Sequence, residues 1–163
     1  MEHKTKIDAE EGKQELFITR EFALPVELLF KAHAEPQLIE QWMSNPYATA
    51  KVLKFEGKKH GSYQLESTDA NGKVVFRSNG VIHEFTANQK IIRTFELENA
   101  PFGVQLEIYA FERLTDDTSK LNMHVIYESG ALRDRLLKLP FAQGLNMAHD
   151  RLQDIVGKAR GHS

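Results

Sequence analysis

Between Phe141 and Ala159 the apolar residues Phe141, Leu145, Ala148, Leu152, Ile155 and Ala159 recur in steps of four, three, four, three and four. That spacing sets all six on one side of a helix. Gln143, Asn146, Asp150, Gln153, Asp154 and Lys158 fall mostly on the other side. A helix with a single apolar stripe needs a surface to cover it. From Lys51 to Thr115 the period changes, and apolar or β-branched runs alternate with turn signals about every ten residues. The pattern predicts strands near 50–56, 61–68, 74–85, 90–98 and 104–114. The turns fall at Gly57 to His60, Asp69 to Gly72, Thr86 to Gln89, Asn99 to Gly103 and Thr115 to Thr118. Lys120 to Glu128 predicts a last strand, with Leu121, Met123, Val125 and Tyr127 on one face and His124 on the other. Glu15 to Leu24 predicts a first strand.

Between the first strand and the rest lie two short helical patterns. Pro25 opens one, with Val26, Leu29 and Phe30 as its apolar face. Pro36 opens the other, with Leu38, Ile39, Trp42 and Met43, and Ser44-Asn45-Pro46 stops it. Ala131 to Leu139 is helical, and Pro140 either ends that helix or kinks a longer one. Short links make neighbouring strands antiparallel. The expected architecture is α+β: a curved antiparallel sheet of six to seven strands gripping the long C-terminal helix, with two short helices after the first strand. Residues 1–14, charged and poor in apolar groups, are expected to be a flexible arm. Residues 15–160 form a single domain, and Gly161, His162 and Ser163 a polar tail.

Composition narrows the chemistry. A chain of 163 residues suits one domain with a core of its own. Cysteine is absent, which removes disulfides, thiolate metal sites and a cysteine nucleophile. The formal net charge is -2 and the basic residues are scattered, so no nucleic-acid footprint is present. No apolar run approaches the ~20 residues of a membrane span, and the polar N-terminus lacks a secretory pattern. A cytoplasmic location is the expectation.

Four stretches, in this order, carry a resemblance. ITREFALPVELLFKAHAEPQLIEQWM, GSYQLESTDANGKVVFRSNGVIHEF with Gly61, Tyr63 and Gly80, KIIRTFELE, and GLNMAHDRLQDIV with Gly144, Asp150, Arg151 and Leu152 resemble the START-like, or helix-grip, superfamily. Within it the chain looks like the family named for the C-terminal domain of the activator of the heat-shock-protein-90 ATPase. The resemblance covers about residues 15–158. It departs at Pro140-Phe141, where the closing helix of the family usually begins with glycine and methionine. It implies a cavity between helix and sheet, often used for an apolar or amphipathic small molecule. It does not imply a reaction, because fold does not fix function.

No catalytic constellation stands out. The chain has no G-x-S-x-G elbow, no Walker loop and no G-x-G-x-x-G loop. The carboxylate pairs Glu10-Glu11 and Asp116-Asp117 read as solvated loop charges. Its seven histidines show no metal-ligand spacing. His83, His124 and His149 could converge only through the fold, and surface or hydrogen-bonded roles are the plainer reading. No metal and no cofactor is implied.

The cavity candidates are the aromatics Trp42, Tyr63, Phe76, Phe95, Tyr109, Tyr127 and Phe141, the polar Arg77 and His83, and Leu145, Met147 and Leu152 from the closing helix. Core packing accounts for most such aromatics, but a pocket uses the same residue types with a few polar groups added. Arg93 is a further polar candidate. An arginine inside the cavity would favour a carboxylate or other anion, although a one-sided sheet favours an outward face for both Arg77 and Arg93. Gly144 is costly in a helix by about 1 kcal/mol, which would suit a close approach by sheet or ligand, or a kink beside Pro140.

The expected partner is therefore a small hydrophobic or amphipathic molecule. A chaperone or other protein is the second class of partner, and a cyclase- or hydrolase-like enzyme using polar groups in the cavity is the third reading. A sheet edge or the cavity mouth could also support a homodimer.

Overall fold

The segments of period two pair into one antiparallel sheet, and the helical stripe lies across it. A computed structural model of the protein describes residues 3–161, with side chains through Lys158. Met1, Glu2, the side chain of Ala159 and the tail residues His162 and Ser163 lie outside the described residues. In chain order the elements are β1 (Lys6–Asp8), β2 (Glu15–Phe22), α1 (Val26–Ala34), α2 (Pro36–Met43), β3 (Thr49–Phe55), β4 (Ser62–Thr68), β5 (Val74–Thr86), β6 (Lys90–Leu97), β7 (Val104–Arg113), β8 (Ser119–Ile126), α3 (Gly130–Leu137) and α4 (Phe141–Gly161). The strands lie in the order β1-β2-β8-β7-β6-β5-β4-β3. From β3 to β8 each strand pairs with its sequence neighbour, as short turns dictate. The α1–α2 pair carries the chain from β2 to the far margin of the sheet.

Two differences from the sequence reading have simple causes. Lys6–Asp8, read as part of a loose arm, is a strand: Ile7 pairs opposite Ile18 of β2. Three residues with one apolar side chain carry too little pattern to show a period. At Pro140 the helix breaks rather than kinks, so α3 and α4 are separate. Proline cannot donate to the turn before it. Ser129 caps α3, its hydroxyl accepting from Leu132 N–H.

The inner face follows strict alternation. Leu16, Ile18 and Phe22 of β2 and Leu121, Met123 and Val125 of β8 are all buried. Phe30 of α1 meets Phe85 and Phe111 edge-on, each at 5.3 Å between ring centres. Phe30 and Phe111 belong to the hydrophobic core, and Phe85 packs against it. Trp42 Nε1 donates to the Ala32 carbonyl at 2.7 Å, locking α2 onto α1.

The buried side of α4 is rotated from the predicted stripe. His149, Leu152 and Val156 are its most deeply buried residues, while Leu145, Ala148 and Ile155 are only half-buried. The polar flank of α4 reaches back to the sheet and tethers the helix. Buried Arg20 of β2 pairs with Asp150 at 2.8 Å and bonds Asn146 at 3.2 Å. Ala23 N–H donates to Gln153 at 2.8 Å, and Arg151 Nε donates to the Trp42 carbonyl at 3.1 Å. The arginine bonds among these are charge-assisted and are the stronger ones. At the sheet margins lie the three-residue β1 and, opposite it, β3. That outer strand carries Lys51 and Lys54 and an irregularity between Val52 and Lys54.

Candidate functional site

Between α4 and the inner face of the sheet the side chains leave a cavity of about 470 Å³. Its size falls within the ~300–1,000 Å³ of small-molecule sites. One wall comes from α1 and α2 through His33, Ile39, Trp42 and Met43. The floor is sheet: Phe55, Tyr63, Leu65, Phe76, Ser78, Phe95 and Leu97, then Gln105, Glu107, Tyr109, Met123, Val125 and Tyr127. The roof is Leu145, Ala148 and His149 of α4. Phe141, Leu136, Leu139 and Phe102 gather where α3, α4 and the β6–β7 turn approach one another. A shallower depression on the outer face of the sheet, lined by Asp8, Ala9, Glu10, Glu15 and Phe17, offers carboxylates and one ring.

Strand register builds a polar layer inside this apolar space. On β6 the inward positions are Ile91, Arg93, Phe95 and Leu97, and on β7 they are Gln105, Glu107, Tyr109 and Phe111. Arg93 pairs directly opposite Glu107, and Ile91 opposite Tyr109. Arg93 Nε donates to Glu107 Oε1 at 2.9 Å, and Nη2 donates to the Tyr109 hydroxyl at 2.8 Å. Tyr109 passes its own hydrogen to Glu107 at 3.0 Å, and Gln105 donates to the other Glu107 oxygen at 2.7 Å. The guanidinium lies 4.6 Å from the centre of the Tyr63 ring and 4.9 Å from that of Tyr109, a stacking that suits arginine. Burial pulls the pKa of Arg93 down, but Tyr109, Tyr63 and Glu107 outweigh it, and the group is held charged. Burial pushes the Tyr109 hydroxyl well up despite the nearby arginine, so it stays protonated.

Tyr63 is seated by a gap in β5. Its hydroxyl donates to the Thr94 carbonyl at 2.5 Å, across Gly80. A Cβ at Gly80 would lie 2.0 Å from that carbonyl oxygen and 2.6 Å from the tyrosine ring. Only glycine leaves room for the ring there.

Two neutral histidines complete the lining. His33 Nδ1 bonds the Leu29 carbonyl at 2.9 Å, so Nδ1 carries the hydrogen and Nε2 is left as an acceptor. Its ring stands 5.4 Å from Trp42 and 5.7 Å from Tyr109, centre to centre. His149 Nδ1 lies 2.7 Å from the Thr5 hydroxyl. Burial lowers the pKa of His33 to about 4 and that of His149 to about 3. Among the described residues no group of three or more histidine, aspartate or glutamate side chains could hold a metal ion. Nor is any described helix long and apolar enough to cross a membrane.

The structure brings eight of the twelve sequence candidates to the cavity wall: Trp42, Tyr63, Phe76, Phe95, Tyr109, Tyr127, Phe141 and Leu145. Four stand elsewhere. Arg77 is on the outer face, paired with Glu66 at 3.1 Å. His83 is exposed beside His60, because an alternating strand that buries Ile82 turns its neighbour out. Met147 is exposed on α4, and Leu152 is wholly buried beyond the cavity, in the core. Gly144 has open space where a Cβ would stand, so neither sheet nor helix crowds it.

Arg93, expected outside, is inside. Glu107, His33 and His149 also line the cavity, and the sequence candidates do not include them. Parity was the available signal, since Arg93 shares its strand face with Ile91 and Phe95, and Glu107 shares its face with Tyr109 and Phe111.

Comparison with known proteins agrees with this architecture. The family model described as "Activator of Hsp90 ATPase homolog 1-like protein" matches residues 23–157. No curated protein sequence matches the chain. Among solved structures, a protein from Rhodobacter sphaeroides is 19% identical with a TM-score of 0.86, over 95% of this chain and 99% of that one. A protein from Mycobacterium smegmatis is 18% identical with a TM-score of 0.81, over 93% and 96%. An HSP90 activator from Plasmodium falciparum is 19% identical with a TM-score of 0.60, over 88% and 96%. At these identities the likeness is one of fold.

Proposed function

The chain belongs to the Activator of Hsp90 ATPase homolog 1-like family, and we propose that within it this protein binds one apolar or amphipathic small molecule beneath α4. The observation that carries this reading is the cavity of about 470 Å³, apolar over most of its lining and polar at one layer. Apolar walls supply affinity through displaced water, and a few fixed polar groups orient the guest. The arrangement favours binding over turnover. Arg93, Glu107 and Tyr109 bond one another, which preorganises a cradle rather than freeing a base or nucleophile.

Native mass spectrometry of the protein as purified from cells, with thermal shifts against a panel of apolar and amphipathic compounds, tests the reading. An added mass that survives gentle desolvation, or a compound class that raises the melting temperature, is the expected result. No bound mass and no shift from any class would overturn it.

The family and the likeness in fold to an HSP90 activator favour a second reading, a surface for a chaperone ATPase. It predicts altered ATP turnover when this chain is added to an HSP90-type ATPase. Unchanged turnover and no co-purification would remove it.

A further inference from the structure

We propose, resting on the cavity reading above, that the polar end of the ligand is an uncharged hydroxyl, alcoholic or phenolic, seated between Arg93 and His33, and that carboxylates of the same body are rejected. An arginine in an apolar cavity would ordinarily select an anion. Here the counter-charge is built in. Glu107 sits directly across the strands and takes Arg93 Nε at 2.9 Å. A carboxylate guest would share one guanidinium with a second carboxylate in a mostly apolar cavity, where like charges repel strongly.

The hydrogen-bonding inventory points to a neutral group that both gives and receives. Arginine has five N–H bonds, and those to Glu107 and Tyr109 use two. The remainder can donate to a neutral oxygen without any new charge. The hydroxyls of Tyr63 and Tyr109 are already committed as donors, to Thr94 and Glu107. An acceptor for the guest is supplied by His33, whose Nδ1–H is spent on the Leu29 carbonyl and whose Nε2 carries a lone pair. Burial keeps both lining histidines neutral at ordinary pH, so they add no positive charge to attract an anion. A hydroxyl donates once and accepts twice, which fits the acceptor at His33 and the donors at Arg93. An ether or ketone would leave His33 unanswered, and an ammonium would face the guanidinium.

Isothermal titration calorimetry near neutral pH with matched pairs tests this: 4-phenylphenol against 4-phenylbenzoate, and decan-1-ol against decanoate. The first pair represents a planar body and the second a flexible one. The expected result is that within at least one pair the hydroxyl compound binds tighter by about tenfold or more, the scale of a single lost polar contact. Glu107→Gln keeps the shape and removes the internal counter-charge, so the carboxylate should gain on its hydroxyl partner in that variant. Wild-type protein alone decides the question should the variant fold poorly. Carboxylates binding as tightly as the hydroxyl compounds would overturn the hydroxyl assignment while leaving the cavity reading intact. Silence from all four compounds would overturn it as well, and the cavity reading falls only if the wider panel is also silent.

Discussion

Removing the Glu107 carboxylate is the sharpest test of how the cavity floor is held. Glu107 is buried and takes hydrogen bonds from Arg93, Tyr109 and Gln105. Glu107→Ala leaves a guanidinium inside the fold without its counter-charge and frees Gln105 from its acceptor. Breaking one side of a buried pair costs about 3–5 kcal/mol. The Arg93 side chain retains 19% exposure and keeps Tyr109, so the lower end, about 3 kcal/mol, applies. For a chain of this size that corresponds to a fall in melting temperature of about 6–12 °C.

Urea unfolding followed by the fluorescence of the single tryptophan, Trp42, reads the change directly, because that side chain is buried in the cavity wall. A cycle with Arg93→Met and the double variant isolates the pair. The double variant should be more stable than Glu107→Ala alone, with a coupling of about 2–3 kcal/mol. A loss under about 1 kcal/mol for Glu107→Ala, or strictly additive single variants, would refute the claim that these two charges hold each other.

Three further outcomes follow from the packing. His33 and His149 have folded pKa values of about 4 and about 3 against 6.5 for a free imidazole. Both are lowered, so the unfolded chain takes up more protons as pH falls from 6.5. Their contribution is complete above that value and is lost toward the folded pKa values, each by about 2 kcal/mol at pH ~5. Urea midpoints at the two pH values should show this, and His33→Leu should remove one share. A flat profile would contradict the burial. Gly80→Ala drives a methyl into the Thr94 carbonyl and the Tyr63 ring, and should cost at least about 1–3 kcal/mol by thermal denaturation; a neutral result would mean the ring moves aside freely. Leu152→Ala, at a fully buried site of α4, should cost about 2–5 kcal/mol, with loss of far-ultraviolet helix signal at a lower urea concentration; an unchanged midpoint would show that α4 does not press on the sheet.

Much of this arrangement was legible from period alone. The alternation of Leu121, Met123, Val125 and Tyr127 put the right face of β8 inside, and the spacing from Leu145 to Leu152 put α4 across it. The cavity's polar layer was harder to see. Arg93 is charged, and charge on a half-buried strand ordinarily points to water. What reverses that rule is Glu107 at the matching rung of the next strand, and such a pairing appears only once register is known. The same logic separates Arg77, which finds Glu66 on the outer face. On α4 the apolar stripe alone does not include His149, and nothing in the local pattern marks that histidine as buried. Its buried ring bonds Thr5, a partner more than a hundred residues away, and packs edge-on against Phe22. No local pattern could announce that contact.

An open sheet ends in two rows of unpaired amide and carbonyl groups, each a template on which further strands could grow. In this chain both rows are blunted. The row beyond β2 is covered by only three residues of β1, too short to recruit a neighbour. The row on β3 bears Lys51 and Lys54, and its run is broken after Val52, so an incoming backbone would meet charge and a mismatched rise. The fold can thus keep a wide, greasy concavity on one side of the sheet without its borders inviting fibrous self-assembly.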